Sequence, residues 1–448
     1  MSGWSGVPEH SDACYNRLEE RAQHHGFCLT ERCSMLKAIS LYTGIGGLDF
    51  GLEAAGIRTA VAVEMDGACC RTIRLNRRWP VIEGDIHDVP SKQILETAGL
   101  RKGEADLLVG GPPCQPFSKS SYWVSGDSLR LDDPRADTLA AYLRVLRDTK
   151  PRAFLLENVY GLAYKGKSEG LDLLFRGIRQ INAQTRSQYS VACAVLNAAD
   201  YGVPQTRERV FLIGSRDGTE FTFPNRTHAA ADEHILLGSG LEAHRTAWDA
   251  LGAVAQDVAE PGLEVAGRWG ALLPSIPEGH NYLWHTPRNG GHPLFGWRTR
   301  YWSFLLKLAK NRPSWTIQAQ PGPYIGPFHW RNRRLTAQEM CRLQTFPDGL
   351  KFEGSRNEVQ KMLGNAVPSL LAEVLAREIR RQLLGAPMRG GLKLLTPRLG
   401  KIPPPEALRP VPDHYLTLAG DHAEHPGTGR GRGALRRRAE GSRQAVLF

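Results

Sequence analysis

One short stretch constrains the fold of this chain most strongly: Asp106-Leu-Leu-Val-Gly-Gly-Pro-Pro-Cys114-Gln-Pro-Phe-Ser118. The apolar run Leu107 to Val109 is typical of a buried strand, and the two glycines after it end that strand. Three prolines then restrict the backbone around Cys114, because each fixes φ and removes a backbone donor. Open α/β sheets bind their ligands at the carboxyl ends of the strands. We therefore predict that Cys114 is a nucleophile presented at such an edge.

Strand-like and helix-like segments alternate around this stretch. A strand-like run from Leu36 meets the glycine turn Thr43-Gly-Ile-Gly-Gly47, and helix-forming residues follow to Gly56. Further strands are predicted at residues 59–63, 81–82, 106–109, 153–156, 189–196 and 210–213, and helices at 67–76, 136–148 and 171–181. This alternation predicts a Rossmann-like, doubly wound α/β sheet.

The glycine turn has the layout of a nucleotide-binding first βα turn. Glu64 ends the second strand about 20 positions later, the spacing of an acid that binds ribose hydroxyls. The alternative for Glu64 is a solvated strand end. No Gly-Lys-Ser/Thr follows the glycines, which excludes a triphosphate-binding P-loop. Glu157 follows another strand of the same sheet, and we expect it to share a pocket with Cys114.

The alternation stops near residue 215, which predicts five regions. Residues 1–35 are an extension, 36–214 the first domain, 215–332 a smaller irregular domain, 333–385 a return to the first domain, and 386–448 a basic, disordered tail. In the irregular domain tryptophans interleave with arginines, which fits nucleic-acid contact or a small tryptophan core equally well: Trp269, Trp284, Trp297 and Trp302 with Arg288, Arg298 and Arg300. Thr336 and Glu339 form a capping box that begins a helix in the returning segment.

The net charge of +11 favours a polyanionic partner such as nucleic acid, although the tail alone supplies much of it. No apolar run is long enough to span a membrane, and no signal peptide is recognisable. The eight cysteines are scattered, which indicates reduced thiols in a cytoplasmic protein. Cys28 and Cys33 lack the second pair that a structural zinc site needs, so we predict no metal.

Six motifs between Lys37 and Leu384 resemble those of the C5-cytosine-specific DNA methyltransferases and occur in that family's order. They are Tyr42-Thr-Gly-Ile-Gly-Gly47, Glu64 with Asp85, Gly111-Pro-Pro-Cys-Gln-Pro-Phe-Ser118, Glu157-Asn158-Val159, Gln205-x-Arg207-x-Arg209 and Gly364-Asn-Ala-Val-Pro368. The resemblance implies a class I S-adenosylmethionine-dependent methyltransferase fold. It also implies a bacterial enzyme of the restriction-modification or phage-defence type, with residues 215–332 as its target-recognition domain.

Carried over residue by residue, the resemblance implies that Cys114 adds to C6 of a flipped-out cytosine and that Glu157 protonates N3. Arg209, supported by Arg207, would hold the 2-oxo group. The implied contacts of S-adenosylmethionine are Tyr42, Thr43, Gly44, Gly46, Gly47, Glu64, Met65, Asp85, Ile86, Asn365 and Val367. The implied DNA contacts are Gln115, Ser118, Arg130 and Gln205.

Two alternatives stay open. An RNA-acting branch of the family would give a tRNA cytosine methyltransferase, although a separate recognition domain favours DNA. A catalytically silent DNA-binding module is the other alternative, and the intact Cys114, Glu157 and Gln-x-Arg-x-Arg set argues against it. We expect a monomer that acts on double-stranded DNA without membrane contact, either alone or beside a cognate restriction or phage-defence system.

Overall fold

Seven strands form one sheet in the computed structural model, which describes residues 35–113, 137–159, 169–230, 240–254, 256–258, 260–296 and 302–417. The strands are β1 Leu36–Leu41, β2 Ile57–Glu64, β3 Val81–Glu83, β4 Leu107–Gly110, β5 Ala153–Val159, β6 Ala192–Asn197 and β7 Glu208–Ser215. Their order across the sheet is β3-β2-β1-β4-β5-β7-β6. Strand β7 is antiparallel to both of its neighbours, and the pairs from β3 to β5 are parallel.

The first five α-helices of the described residues alternate with the strands along the chain, and the others follow the last strand. In chain order, the helices are α1 Gly47–Ala54, α2 Gly67–Asn76, α3 Ser91–Ala98, α4 Asp137–Thr149, α5 Glu169–Thr185, α6 Ala247–Leu251, α7 Ala337–Leu343, α8 Arg356–Asn365, α9 Ser369–Gln382 and α10 Asp413–Leu416. Short 3-10 helices cover Ala198–Tyr201, Gly270–Ser275 and Tyr282–His285, and β8 His228–Ala229 pairs with β9 Glu242–Ala243. No helix in the described part of the chain is both long and apolar enough to cross a membrane.

Helices cover both faces of the sheet. Successive side chains of a strand point to opposite faces, so Leu108 packs with α3, α4 and α5, whereas Leu107 packs with α1 and α9. Parallel strands buried on both faces are nearly continuous apolar runs. These strands could therefore be recognised in the sequence. The predicted doubly wound α/β fold is confirmed.

Local capping explains where several predicted helices begin. Helix α2 has the predicted bounds. It begins at Gly67 because the Asp66 side chain accepts the N–H groups of Ala68 and Cys69. The predicted capping box of Thr336 and Glu339 is present and begins α7. The strand predicted to begin at Tyr189 begins at Ala192 instead.

Apart from Phe221 and Phe223, which pack in the sheet core, the clustered apolar residues of 215–332 belong to two groups. The first, which we call the recognition cluster, is built on Trp269, Leu273, Tyr282, Phe295 and Phe304. Members of the second pack with α1, α2, α7 and α8: Ala250, Leu251, Leu308, Ile317 and Trp330. Trp269 is thus a core residue, whereas Trp302 is 39% exposed. Trp297, Arg298 and Arg300 lie outside the described residues, and the predicted domain boundaries stay predictions.

Residues 386–417 correct the expectation of a disordered tail. Leu392, Leu394 and Leu395 pack against the sheet core, and Tyr415 is only 1% exposed. Their composition hid this packing because the apolar side chains are separated by proline, glycine and basic residues. The predictions for residues 1–34, including Cys28 and Cys33, and for residues 418–448 fall outside the described residues.

Candidate active site

The carboxyl ends of adjacent strands meet at one edge of the sheet. The register pairs Leu41 of β1 with Val63 of β2 and with Gly110 of β4, and Gly110 with Leu156 of β5. The glycine turn, Glu64, the segment 111–113 and Glu157 therefore leave the sheet side by side. Open α/β sheets bind their ligands at this edge.

Glu157 places a buried carboxyl group at the end of β5. Its Oε1 lies 2.9 Å from Nε of Arg209, which faces it from β7. A Cβ added to Gly111 would lie 2.8 Å from Oε2, so the carboxyl group packs directly on the loop that leads to Cys114. Burial raises the pKa of Glu157, while the charges of Arg209 and Arg207 oppose that rise. The arrangement suits a carboxylic acid that donates a proton.

Hydrogen bonds hold the start of the proline-rich loop from two sides. Asn158 Nδ2 donates to the carbonyl of Pro112 (3.2 Å), and Thr138 Oγ1 of α4 donates to that of Pro113 (3.2 Å). The Tyr42 hydroxyl donates to the Thr138 carbonyl at 2.7 Å, which ties α4 to the glycine turn. The predicted residues Cys114, Gln115, Ser118 and Arg130 lie outside the described residues. The structure thus describes the frame of the loop and leaves the nucleophile a prediction.

The Gln-x-Arg-x-Arg motif is mostly internal. Arg207 has no exposed surface, and its Nη2 donates to the carbonyl of Gly364 at 2.8 Å. Burial lowers the pKa of Arg207, but a guanidinium stays charged in proteins. Gln205 is also fully buried, and its amide has no hydrogen-bond partner in the part of the chain that the structure describes. As placed, Gln205 offers no surface to DNA, in contrast to the expected contact.

The predicted cofactor residues meet at the glycine turn. The Glu64 carboxylate accepts the N–H groups of Gly44 (2.7 Å) and Asp66 (2.8 Å), and burial raises its pKa. A carboxylate has about four acceptor sites, so these two bonds leave capacity for ribose hydroxyls. A Cβ on Gly47 would lie 2.4 Å from the Val367 carbonyl oxygen, which brings the first and last motifs into contact.

The remaining predicted cofactor residues differ in exposure. Buried members are Thr43, whose hydroxyl donates to Ser40 Oγ, together with Ile86 and Val367. Met65 is 65% exposed beside Glu64, and Asn365 is exposed at the end of α8. Gly46 has φ +88°, a conformation that favours glycine. The Asp85 carboxylate accepts the His87 N–H at 3.0 Å, and this bond lowers its pKa.

No motif in the sequence indicates a role for Arg144 of α4. Its Nη2 donates to the carbonyls of Ile86 (2.6 Å) and Val89 (3.2 Å), and its Nη1 donates to Ser91 Oγ (3.0 Å). The guanidinium therefore braces the loop that carries Asp85 and Ile86. A single arginine on an amphipathic helix is usually a solvated residue, so spacing alone could not identify this function.

Comparisons with known proteins match most of the chain. The model of the family described as C-5 cytosine-specific DNA methylase matches residues 36–381. The Type II methyltransferase M.SacI of Streptomyces achromogenes is 41% identical over 371 residues, which cover 78% of this chain and 93% of M.SacI. The Type II methyltransferase M.NgoFVII of Neisseria gonorrhoeae is 32% identical over 348 residues, covering 77% of this chain and 86% of that protein.

Solved structures support the fold. A putative DNA modification methyltransferase encoded within an Escherichia coli prophage superposes with a TM-score of 0.54 at 22% identity, covering 78% of this chain and 99% of that one. A DNMT2 mutant of Spodoptera frugiperda gives a TM-score of 0.53 at 15% identity, with 77% and 99% covered. At these identities the likeness concerns the fold alone.

Proposed function

Because this chain belongs to the C-5 cytosine-specific DNA methylase family, we propose how its own residues methylate C5 of cytosine in DNA. The observation that carries the proposal is the buried carboxyl group of Glu157, which lies between Arg209 and Gly111 at the ligand-binding edge of the sheet. An acid in this position faces both the thiol-bearing loop and a guanidinium.

Cys114 begins the reaction as a thiolate. C5 of cytosine is a poor nucleophile until C6 carries a new bond, and the thiolate supplies that bond. The addition moves negative charge toward N3. Glu157, whose raised pKa favours the protonated form, donates its proton to N3 and leaves an enamine whose C5 can attack.

Arg209 holds the 2-oxo group of the same base. Its Nε faces Glu157 and its Nη1 donates to the Glu208 carbonyl, but a guanidinium has five donors, so further N–H groups can reach the base. Arg207 is a positioning residue: its hydrogen bond to the Gly364 carbonyl supports the site from the protein interior. After methylation, water takes the C5 proton, the C6–sulfur bond breaks to return the Cys114 thiolate, and N3 returns its proton to the Glu157 carboxylate.

S-adenosylmethionine supplies an electrophilic methyl group when it is bound. The residues present fit this cofactor: Glu64 keeps acceptor capacity for ribose hydroxyls, and Gly47 packs too closely on Val367 to carry a side chain. Asp85 and Ile86 lie on the next loop of the same edge, where an adenine ring would follow the ribose. Met65, Asn365 and the turn from Tyr42 to Gly47 complete the proposed contacts.

The proposed substrate is a specific sequence in double-stranded DNA. A stacked cytosine cannot be reached by a thiol and a methyl donor together, so the base must flip out of the duplex at a cost of a few kcal/mol. The relatives named Type II methyltransferases support a cognate restriction or phage-defence system for this enzyme as well. Residues 215–332 would read the sequence, with Gln115, Ser118 and Arg130 as loop contacts to DNA.

Tritiated methyl transfer to duplex DNA and to tRNA tests the substrate class. We expect incorporation into DNA, abolished by Cys114→Ala while DNA binding persists. Incorporation into tRNA alone would overturn the DNA assignment, and an active Cys114→Ala variant would remove Cys114 from its proposed role. Bisulfite sequencing of DNA from cells that express the enzyme then identifies the target sequence.

A further inference from the structure

A C-terminal segment beyond the family match joins the sheet to the recognition cluster. The match ends at residue 381, whereas residues 392–415, which we call the strap, remain packed on the molecule. We propose that the strap is a positioning element that fixes the recognition cluster relative to the catalytic sheet, so that DNA binding and site selection depend on it. This inference rests on the proposed function, in which residues 215–332 read the DNA.

The near end of the strap is anchored on α9. Glu373 has no exposed surface, and its carboxylate accepts the N–H groups of Lys393 (2.8 Å) and Leu394 (2.9 Å). Arg377 completes this site with an ion pair of 2.7 Å. Hydrogen bonds to a buried charge are among the strongest in proteins. Detachment of the strap would leave part of this carboxylate unsatisfied.

The middle of the strap neutralises a buried ammonium group. The Lys310 side chain is 4% exposed, and its Nζ donates to Glu278 Oε1 (2.6 Å), to Glu406 Oε1 (3.0 Å) and to the Pro404 carbonyl (3.1 Å). Two of these three acceptors belong to the strap. Arg331 Nη1 also donates to Glu406 Oε2 at 2.8 Å, so Glu406 links two basic residues of the region proposed to read DNA.

The far end of the strap completes the recognition cluster. The Tyr415 ring stacks on Trp269, with centroids 5.8 Å apart and planes 12° apart, and its hydroxyl donates to the Arg268 carbonyl at 2.7 Å. Leu416, the next residue, is 41% exposed, whereas Tyr415 is 1% exposed. A buried aromatic ring from outside the family match thus fills a place in the core of the cluster.

These anchors predict a selective effect on DNA. The strap is bound to α9 at Glu373 and to the recognition cluster at Tyr415, so release of its far end removes one constraint on the position of the cluster. None of the anchors is a predicted cofactor or catalytic residue. A displaced recognition cluster would hold the duplex in the wrong position relative to the proposed active site. We expect this to weaken the DNA complex and to leave cofactor affinity unchanged.

The test compares three variants of the full-length enzyme. Tyr415→Ala removes the ring, Tyr415→Phe keeps the ring and removes only the hydroxyl, and Leu416→Ala is the matched control at an exposed neighbour. For Tyr415→Ala we expect the KM for duplex DNA to rise about tenfold, equivalent to about 1.4 kcal/mol, with kcat and the Kd for S-adenosylmethionine unchanged. We also expect more methylation at sites that differ from the target by one base. Tyr415→Phe and Leu416→Ala should behave like the wild type.

A Tyr415→Ala enzyme with the wild-type KM for DNA and wild-type selectivity would overturn the proposal. Equal weakening of DNA and cofactor binding would overturn it too, because it indicates general destabilisation. Should Tyr415→Ala fail to fold, Glu406→Gln provides the same test at the middle anchor. If the wild type methylates no DNA, the proposed function fails separately. Hydrogen exchange then tests the strap alone. Tyr415→Ala should raise the exchange rate in residues 269–296 and leave that of β1 to β5 unchanged. Unaltered exchange in residues 269–296 would refute the role proposed for the strap.

Discussion

A buried carboxyl group lies beneath the turn that we propose for the cofactor. Asp49, in the first turn of α1, has no exposed surface and accepts the hydroxyl groups of Thr59 (2.7 Å) and Ser40 (3.0 Å). Ser40 in turn accepts the hydroxyl of Thr43 at 3.0 Å. Burial raises the pKa of Asp49 to about 6 from an ordinary value of 3.8, although these hydrogen bonds oppose the rise. At neutral pH the turn therefore stands above a buried charge.

The size of this effect follows from linkage between protonation and folding. The pKa is higher in the folded state, so the stability due to the proton is complete below about pH 3.8 and is lost as the pH rises through about 6. At about 1.4 kcal/mol per unit of pKa, ionised Asp49 lowers the free energy of unfolding by ~3 kcal/mol. About 2 kcal/mol of this decrease in the free energy of unfolding occurs between roughly pH 4.5 and pH 7.5.

Asp49→Asn removes the titration and keeps the shape of the side chain. The amide accepts from one hydroxyl and donates to the other. Urea unfolding of both proteins should therefore show the variant gaining about 2 kcal/mol relative to the wild type between roughly pH 4.5 and pH 7.5. Asp85→Asn is a control of opposite sign, because hydrogen bonds from His87 lower the pKa of Asp85. A stability difference between Asp49→Asn and the wild type that is independent of pH would refute the reasoning.

Three further predictions concern the reaction. Glu157→Gln should slow single-turnover methyl transfer by about 10²- to 10⁴-fold without changing cofactor affinity; a loss below about tenfold would exclude Glu157 as the acid. Arg144→Gln should raise the calorimetric Kd for S-adenosylmethionine, because the loop of Ile86 loses its brace, whereas the exposed Arg147→Gln should not; equal Kd values would contradict this. Gly47→Ala should abolish cofactor binding by collision with Val367, whereas Gly84→Ala, with ordinary contacts at 3.5 Å, should bind normally.

The sheet could be predicted from the sequence because its central strands are buried on both faces. Apolar runs such as Leu107 to Val109 and glycine breaks such as Gly110-Gly111 are local signals, and their alternation with amphipathic helices indicates one architecture. The strap could not be predicted in the same way. Its partner Trp269 is distant in sequence, and apolar residues scattered among proline and glycine have the composition of a disordered tail.

The position of a candidate site residue was predictable where its motif fixes both the residue type and the place in the fold. Glu157 lies at the strand end and beside Arg209, as expected of neighbours in one sheet. The burial of individual motif residues was not predictable, because it depends on packing between distant segments. Gln205 and Arg207 belong to the same motif as Arg209, yet both lie beneath the surface. A motif therefore indicates candidate residues for a site without showing which of them are accessible to a ligand.

The segment 364–367 is a shared wall between the proposed cofactor and base sites. The Gly364 carbonyl accepts Arg207 Nη2 at 2.8 Å, and the Val367 carbonyl oxygen would lie 2.4 Å from a Cβ on Gly47. This stretch is thus hydrogen-bonded to the arginine motif on one side and packed on the glycine turn on the other. Because both contacts involve backbone carbonyls, we expect main-chain packing to set the spacing between the two proposed sites. Loss of the Arg207 guanidinium should then weaken cofactor binding as well as slow methyl transfer, although Arg207 has no exposed surface.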